Sequence, residues 1–365
     1  METMRLPGTI SDGLLPAVAA TDPCGGPDIE WEETACLLCG GRESSLFLEA
    51  AGSVACGSSL RFKVVQCRKC GLCFTNPRPG PASLGRFYPP EYKPHEGCGL
   101  TQRQRQRARA KAKMPAFWRA KDPFRRGLPR EGGSRLLDFG CGQGAFLELM
   151  HLQGWQVLGL DMCADVVQRI RRELDLPALV GTLPHPELSP AQFDVVTMWQ
   201  SLEHVRRPQE TLQHAYDLLV PGGKLLVNVP NVQSRAFGWF GAAWFNLELP
   251  IHLTHFSPQT LRQMAQRVGF RVQRLQMIRA TDWLCQSALL ACQKRSPGPR
   301  WLRRRWLARL ISSYLCWTGR SDSILLVACK PVRRDQCRTL SASRHLPTAD
   351  RLDAGPKGPR GVGDR

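Results

Sequence analysis

The sequence predicts an α/β fold, a mostly parallel sheet flanked by helices and preceded by a small cysteine-bearing module. Three observations carry that expectation. First, the apolar run that begins at Leu136 and Leu137 breaks into glycines at 140, 142 and 144. It resumes as a crowded apolar helical face at Ala145, Phe146, Leu147, Leu149 and Met150. Strand, glycine turn and helix in that order open a doubly wound sheet, with ligand beyond the carboxyl end of the strand. Second, further short apolar runs recur downstream, bounded by turn residues and apolar on both faces, as buried parallel strands are. Third, two Cys-x-x-Cys-Gly clusters, Cys36–Gly40 and Cys67–Gly71, stand upstream with 27 residues between the pairs, which is the pattern of a zinc ribbon.

The 365 residues are enough for one large or two smaller domains with a real core. No apolar run reaches the length of a membrane span, and the start lacks a secretory signal pattern. The fifteen cysteines therefore point to a reducing, cytoplasmic setting in which thiols are ligands or core fillers. The formal net charge of +19 favours acidic partners such as nucleic acid, anionic lipid or phosphorylated sugars, and an arginine-rich composition alone gives the same number.

Taken in order, residues 1–33 lack periodicity and read as a flexible lead-in. Residues 34–80 form the ribbon, with strands around Leu46–Leu48 and Phe62–Val65. Cys36, Cys39, Cys67 and Cys70 are expected to hold a structural Zn, since four thiolates close a tetrahedral shell. Cys73 is a substitute ligand on the same grounds of proximity. Residues 81–130 are a linker containing the basic tract Thr101–Lys113, which has good helix formers but no apolar stripe. A solvated helix is the favoured reading of that tract, over a nucleic-acid contact.

The main domain spans residues 131–332. Its second strand ends in Asp161, 23 positions after Asp138, close to the spacing at which a second-strand acid meets ribose hydroxyls. An acid ahead of the glycines would repel a pyrophosphate. It suits S-adenosylmethionine (SAM), which carries a sulfonium and an ammonium. Asp138, Gly140, Gly142, Gly144 and Asp161 are therefore the expected cofactor-binding residues. Later strands are expected at Ala178–Leu183, Phe193–Trp199, Lys224–Val229, Phe270–Ile278 and Ser323–Lys330, with a Pro-Gly-Gly turn before the fifth.

The stretches LLDFGCGQGAFL, FDVVTMWQSLEHV, LLVPGGKLLVNVPN and HLTHFSPQTL resemble, in order, the motifs of class I SAM-dependent methyltransferases. The N-terminal cysteine pairs and FTNPRP resemble a subset that modifies sugars and other secondary metabolites. The resemblance implies a Rossmann-like seven-stranded sheet with an antiparallel last strand. It also implies methyl transfer to a hydroxyl, or to a carbon or amine, of a sugar or secondary-metabolite acceptor.

Topology puts Gln200, Glu203 and His204 beyond the fourth strand, near the transferred methyl. His252 and His255 precede a helix capped by Ser257-Pro258. A neutral imidazole can take the acceptor's proton, and His255 is the favoured base with His204 as runner-up. Some relatives, of the RNA 3′-terminal and ubiquinone-pathway types, use E-x-x-E-H to hold a divalent metal. Gln200 replaces the first of those glutamates here, so an ordinary pocket role for Glu203 and His204 is favoured over a metal.

The aromatics between Val232 and Leu249 either wall a substrate pocket, pack in the core or meet a membrane interface. Residues 301–317 form a basic amphipathic helix. It docks on the domain or a second subunit, with peripheral membrane contact as the rival reading. Residues 333–365 read as a disordered tail. Two rivals from other classes stay open: an RNA methyltransferase using the basic tract, and a non-catalytic scaffold that keeps the fold.

Overall fold

The computed structural model describes residues 29–52, 60–88, 97–112 and 134–332. The flexible lead-in and the C-terminal tail expected from sequence lie outside the described residues. Thirteen strands run through the described residues: β1 (Trp31–Glu32), β2 (Ser44–Ala51), β3 (Arg61–Cys67), β4 (Cys73–Thr75), β5 (Arg78–Pro79), β6 (Arg135–Phe139) and β7 (Gln156–Asp161). They continue as β8 (Ala178–Val180), β9 (Phe193–Trp199), β10 (Leu219–Pro230), β11 (Thr254–His255), β12 (Arg271–Ile278) and β13 (Ser323–Cys329).

Seven of them build the central sheet in the order β12-β13-β10-β9-β6-β7-β8. β6, β7, β8, β9 and β10 pair in parallel, and β13 runs antiparallel between β10 and β12. Every residue of β6 and of β13 is buried, because crossover helices cover both faces of a parallel sheet. The order reverses at β6, whose neighbours are β7 on one side and β9 on the other. A crevice forms at such a switch point, outside the strand ends. The expected Pro-Gly-Gly turn is instead absorbed into β10, where the pairing to β9 slips between Leu219 and Lys224. Gly222, at φ 83°, takes the backbone excursion.

The ribbon strands β2, β3 and β4 form a second, antiparallel sheet. Its fourth strand comes from the main domain: β11 pairs with β4, setting His255 opposite Cys73. The ribbon is thus stitched to the main domain through main-chain hydrogen bonds as well as side-chain packing. Cys36, Leu38, Cys67, Leu72 and Phe74 belong to the same apolar core as Phe256, Leu261 and Met264.

The basic tract is helical from Gln102 to Ala112. Thr101 and Gln104 cap each other at its start, since Thr101 N donates to Gln104 Oε1 at 2.8 Å and Gln104 N to Thr101 Oγ1 at 3.4 Å. Most of its side chains are exposed, and Arg105 pairs with Glu148 of the helix Ala145–His151. The aromatics at 237–245 serve packing. Phe237 stacks on Phe47 of the ribbon at 5.6 Å, and the buried Trp244 donates its Nε1–H to Asp322 at 3.0 Å.

Candidate active site

Three glycines at positive φ turn the chain out of β6, at 71° (Gly140), 49° (Gly142) and 77° (Gly144). The close approach is real at Gly140, where a Cβ would lie 2.5 Å from Cβ of Ser201. Ser201 holds this contact by donating its hydroxyl to Phe139 O at 2.9 Å. The glycine elbow and the turn after β9 therefore touch.

Two acids stand at the tips of β6 and β7. Asp138, 1% exposed, accepts a hydrogen bond from Thr197 Oγ1 of β9 at 2.7 Å. Burial, aided by the neighbouring Asp161 carboxylate and opposed by that hydrogen bond, pushes its carboxyl up to about 8. Asp161 accepts from Gly142 N and Cys163 N, both at 2.9 Å. It so ties the glycine elbow to the next strand. A buried pair of acids set around donors of main-chain N–H fits a cationic, hydroxyl-bearing ligand. The arrangement disfavours a diphosphate, as the spacing of the sequence implies.

Beyond β9 the chain enters a turn with Gln200 at φ 52°. The amide of Asn228 explains why glutamine stands here. Its Nδ2 donates to Ser323 Oγ at 2.8 Å and to Ile324 O at 2.9 Å. Its Oδ1 therefore faces position 200 and needs a donor, which Gln200 Nε2 supplies at 2.7 Å. A glutamate would oppose that oxygen with a carboxylate. Gln200→Glu is expected to lower stability by about 1–3 kcal/mol, the cost of leaving buried acceptors unsatisfied. Denaturant unfolding of the two proteins checks it.

The next residues assemble a cluster that sequence reasoning saw only in part. Potential ligand atoms of Glu203, His204 and His252 all lie within 4.8 Å of one another. Glu203 is 1% exposed, and neither carboxylate oxygen has a hydrogen-bond partner among the described residues. Burial, with the Glu248 carboxylate adding, pushes it up to about 8. His204 and His252 meet edge to face at 4.6 Å between ring centres. Nδ1 of His204 lies 3.2 Å from Ile251 O, and Nδ1 of His252 2.9 Å from Asn246 O. A carbonyl only accepts, so Nδ1 of His252 carries the proton and its Nε2 keeps the lone pair, whereas Nδ1 of His204 is shared between a carbonyl and the Tyr88 hydroxyl. His252 Nε2 lies 3.4 Å from Glu248 Oε2, and burial pushes its imidazolium form well out of reach.

Tyr88 completes the wall, its hydroxyl 3.1 Å from His204 Nδ1. Burial raises its phenol, and the carboxylates of Glu203, Glu248 and Asp161 act on it in the same direction. Tyr88 and Glu248 carry no motif and come from a linker and a loop, so only tertiary structure could find them.

His255 is not part of this cluster. It is 4% exposed, with Nε2 3.2 Å from Thr75 Oγ1 of the ribbon, and burial pulls its imidazole down to about 4. Thr75 in turn donates to His252 O at 2.8 Å.

The ribbon brings the four predicted sulfurs together: Cys36, Cys39, Cys67 and Cys70 lie within 4.8 Å of one another, with Cys36–Cys70 at 3.3 Å and Cys39–Cys67 at 3.5 Å. The two knuckles repeat one geometry. Gly40 N donates to Cys36 O and Gly71 N to Cys67 O, each at 2.9 Å and each with glycine at positive φ. A tetrahedral Zn–S distance of about 2.3 Å spaces sulfurs at roughly 3.8 Å, so the donor set fits zinc. Burial pushes the Cys36 thiol up, with Cys70 adding, a penalty that a cation among the sulfurs offsets. Cys73 stays outside this group, buried in β4.

Residues 102–275 match the family description "Methyltransferase domain". The ubiquinone biosynthesis O-methyltransferase of Pectobacterium carotovorum subsp. carotovorum (strain PC1) is 35% identical over 111 residues, 29% of this chain and 46% of that protein. The protein of the same name from Aeromonas salmonicida (strain A449) is 31% identical over 153 residues, 38% of this chain and 64% of that one. The chain spans about half the length of most of the curated relatives it matches. An S-adenosylmethionine dependent methyltransferase from Mesorhizobium loti, of known structure, is 20% identical with a TM-score of 0.41, covering 60% of this chain and 99% of that chain. Residues 102–275 of the chain thus match a methyltransferase domain, and the strand order and the acid-flanked glycine elbow agree with that match.

Proposed function

We propose that this chain transfers the methyl group of SAM to a hydroxyl of a small-molecule acceptor of the sugar or secondary-metabolite class. The observation that supports the reading best is the pair of buried acids at adjacent strand tips around the glycine elbow. In it, Asp138, Gly140, Gly142 and Gly144 hold the methionine portion and Asp161 the ribose. SAM supplies a methyl group activated by its sulfonium. The protein aligns acceptor oxygen, methyl and sulfur, and such alignment alone lowers a barrier by about 7–11 kcal/mol.

The acceptor hydroxyl loses its proton as it attacks. His204 is better placed to take it than His255, because His204 is half-buried beside Tyr88 whereas His255 faces the ribbon. The relatives' names speak of ubiquinone biosynthesis and O-methylation, which supports oxygen as the acceptor atom. Cys36, Cys39, Cys67 and Cys70 hold a structural zinc that locks the ribbon against β11.

The unpartnered Glu203 oxygens favour a second reading, in which Glu203, His204 and His252 bind a divalent cation that orients the acceptor. One carboxylate and two imidazoles suit a borderline metal such as zinc or manganese better than magnesium. His204→Asn separates the two. If His204 is a base, kcat falls about 100- to 10,000-fold and metal content per chain is unchanged. If it is a ligand, elemental analysis finds one metal per chain where the unaltered protein holds two. A screen of sugars and phenolic metabolites with labelled SAM identifies the acceptor, and no transfer to any hydroxyl compound would sink the O-methyl reading.

A further inference from the structure

The helix Arg305–Trp317 buries one face and leaves an unusual one outside. Ala308, Ser312 and Leu315 pack inward, toward Leu284, Ala288 and Ala291 of the helix Thr281–Gln293. On the outside, Trp306, Leu310, Tyr314 and Trp317 are 61%, 62%, 59% and 83% exposed. At 3.6 residues per turn these four fall within an arc of about 80°. Trp301, 50% exposed in the preceding turn Arg300–Arg303, adds a fifth large apolar side chain.

Charge says what covers this face. Between Asp282 and Asp322 the chain carries eight basic residues and no acid, and all eight are exposed. Arg305 pairs with Asp282 at 2.6 Å, while Arg300, Arg303, Arg304 and Arg309 border the aromatic stripe. A second copy of the same face would set arginines against arginines. The residue types also decide, since Trp and Tyr with one polar atom each favour the headgroup boundary of a bilayer, and arginine stems reach outward from it to anionic headgroups. No helix among the described residues is long and apolar enough to cross a membrane, so contact through this helix would be with the surface.

We propose that the outward face of Arg305–Trp317, with Trp301, is a docking surface for an anionic lipid bilayer. The apolar arc enters the headgroup boundary and the arginines neutralise lipid charge, an attraction that salt screens. The surface is separate from the donor seat and the Glu203 cluster, so it stands whether or not the acceptor assignment does.

The test is co-sedimentation of the full chain with vesicles of phosphatidylcholine alone or with 30% phosphatidylglycerol, followed by tryptophan emission. Binding to the anionic vesicles, a blue shift, and at least a ten-fold loss of binding in 0.5 M salt are expected. Trp306→Ser/Leu310→Ser/Trp317→Ser should cut binding at least ten-fold, as should Arg303→Gln/Arg304→Gln/Arg309→Gln. Both sets alter exposed side chains, and unchanged circular dichroism and SAM binding confirm the fold. Equal binding to neutral vesicles, no binding, or binding that survives either set overturns the proposal. So does a dimer by light scattering that the aromatic set abolishes, or tight RNA binding without vesicle binding.

Discussion

Cys39→Ser is expected to lower the melting temperature by roughly 10 °C or more and to release the metal from the ribbon. Loss of one ligand removes several kcal/mol of binding energy that folding captures, and each kcal/mol moves the midpoint by about 2–4 °C in a domain of this size. The effect should reach the catalytic half, because β11 pairs with β4 and the ribbon shares its core with Phe256 and Met264. Chelation at moderate temperature should reproduce the loss. Cys292→Ser, at a half-buried cysteine far along the chain, should shift the midpoint by no more than about 1 °C. Differential scanning calorimetry with and without chelator reads both. A ribbon variant that melts like the unaltered protein would mean that the four sulfurs hold no ion.

Asp138→Asn trades affinity for stability. Without the carboxylate, SAM binding should weaken about 10- to 100-fold, the loss of a charge-assisted hydrogen bond of about 1.5–3 kcal/mol. The ligand-free protein should become more stable in alkaline solution. Burial raises Asp138 from its ordinary value of 3.8 to about 8, so across that window the folded chain holds a proton that the unfolded chain releases. Stability from this group therefore falls as pH rises from about 4 to 8, and the amide removes that slope. Melting curves at pH 6 and pH 9 give the sign. Should the variant lose stability at pH 9 and keep its SAM affinity, Asp138 is a structural acid and nothing more.

Much of this was legible in the sequence because the signals were local. β9 occupies the expected Phe193–Trp199, β7 ends in Asp161, and Asp138 is the penultimate residue of β6. Buried parallel strands leave continuous apolar runs, and a glycine elbow leaves its spacing. Both cysteine knuckles could be read for the same reason. Where the signal was not local the sequence was silent. The pairing of β11 with β4 joins residues 180 positions apart in two strands of two and three residues, too short to show periodicity. His255 looked like a base by its place before a capped helix, yet the ribbon covers it. His204 gained weight from Tyr88 and from the loop that carries Glu248 and His252, two segments remote from it in the chain.

Two further readings turned on which face of an element is covered. The Arg305–Trp317 helix has apolar residues on both sides, so periodicity alone could not say which side docks. The departure at Gln200 looked like the loss of a metal ligand. It also satisfies Asn228, whose amide is oriented by β13.

The seat for SAM is the claim on which the rest stands, and isothermal calorimetry of the full chain with SAM tests it most directly. One binding event per chain is expected, weakened by Asp138→Asn and by Asp161→Asn alike. No heat with SAM, or an affinity that neither variant lowers relative to the unaltered protein, would contradict it.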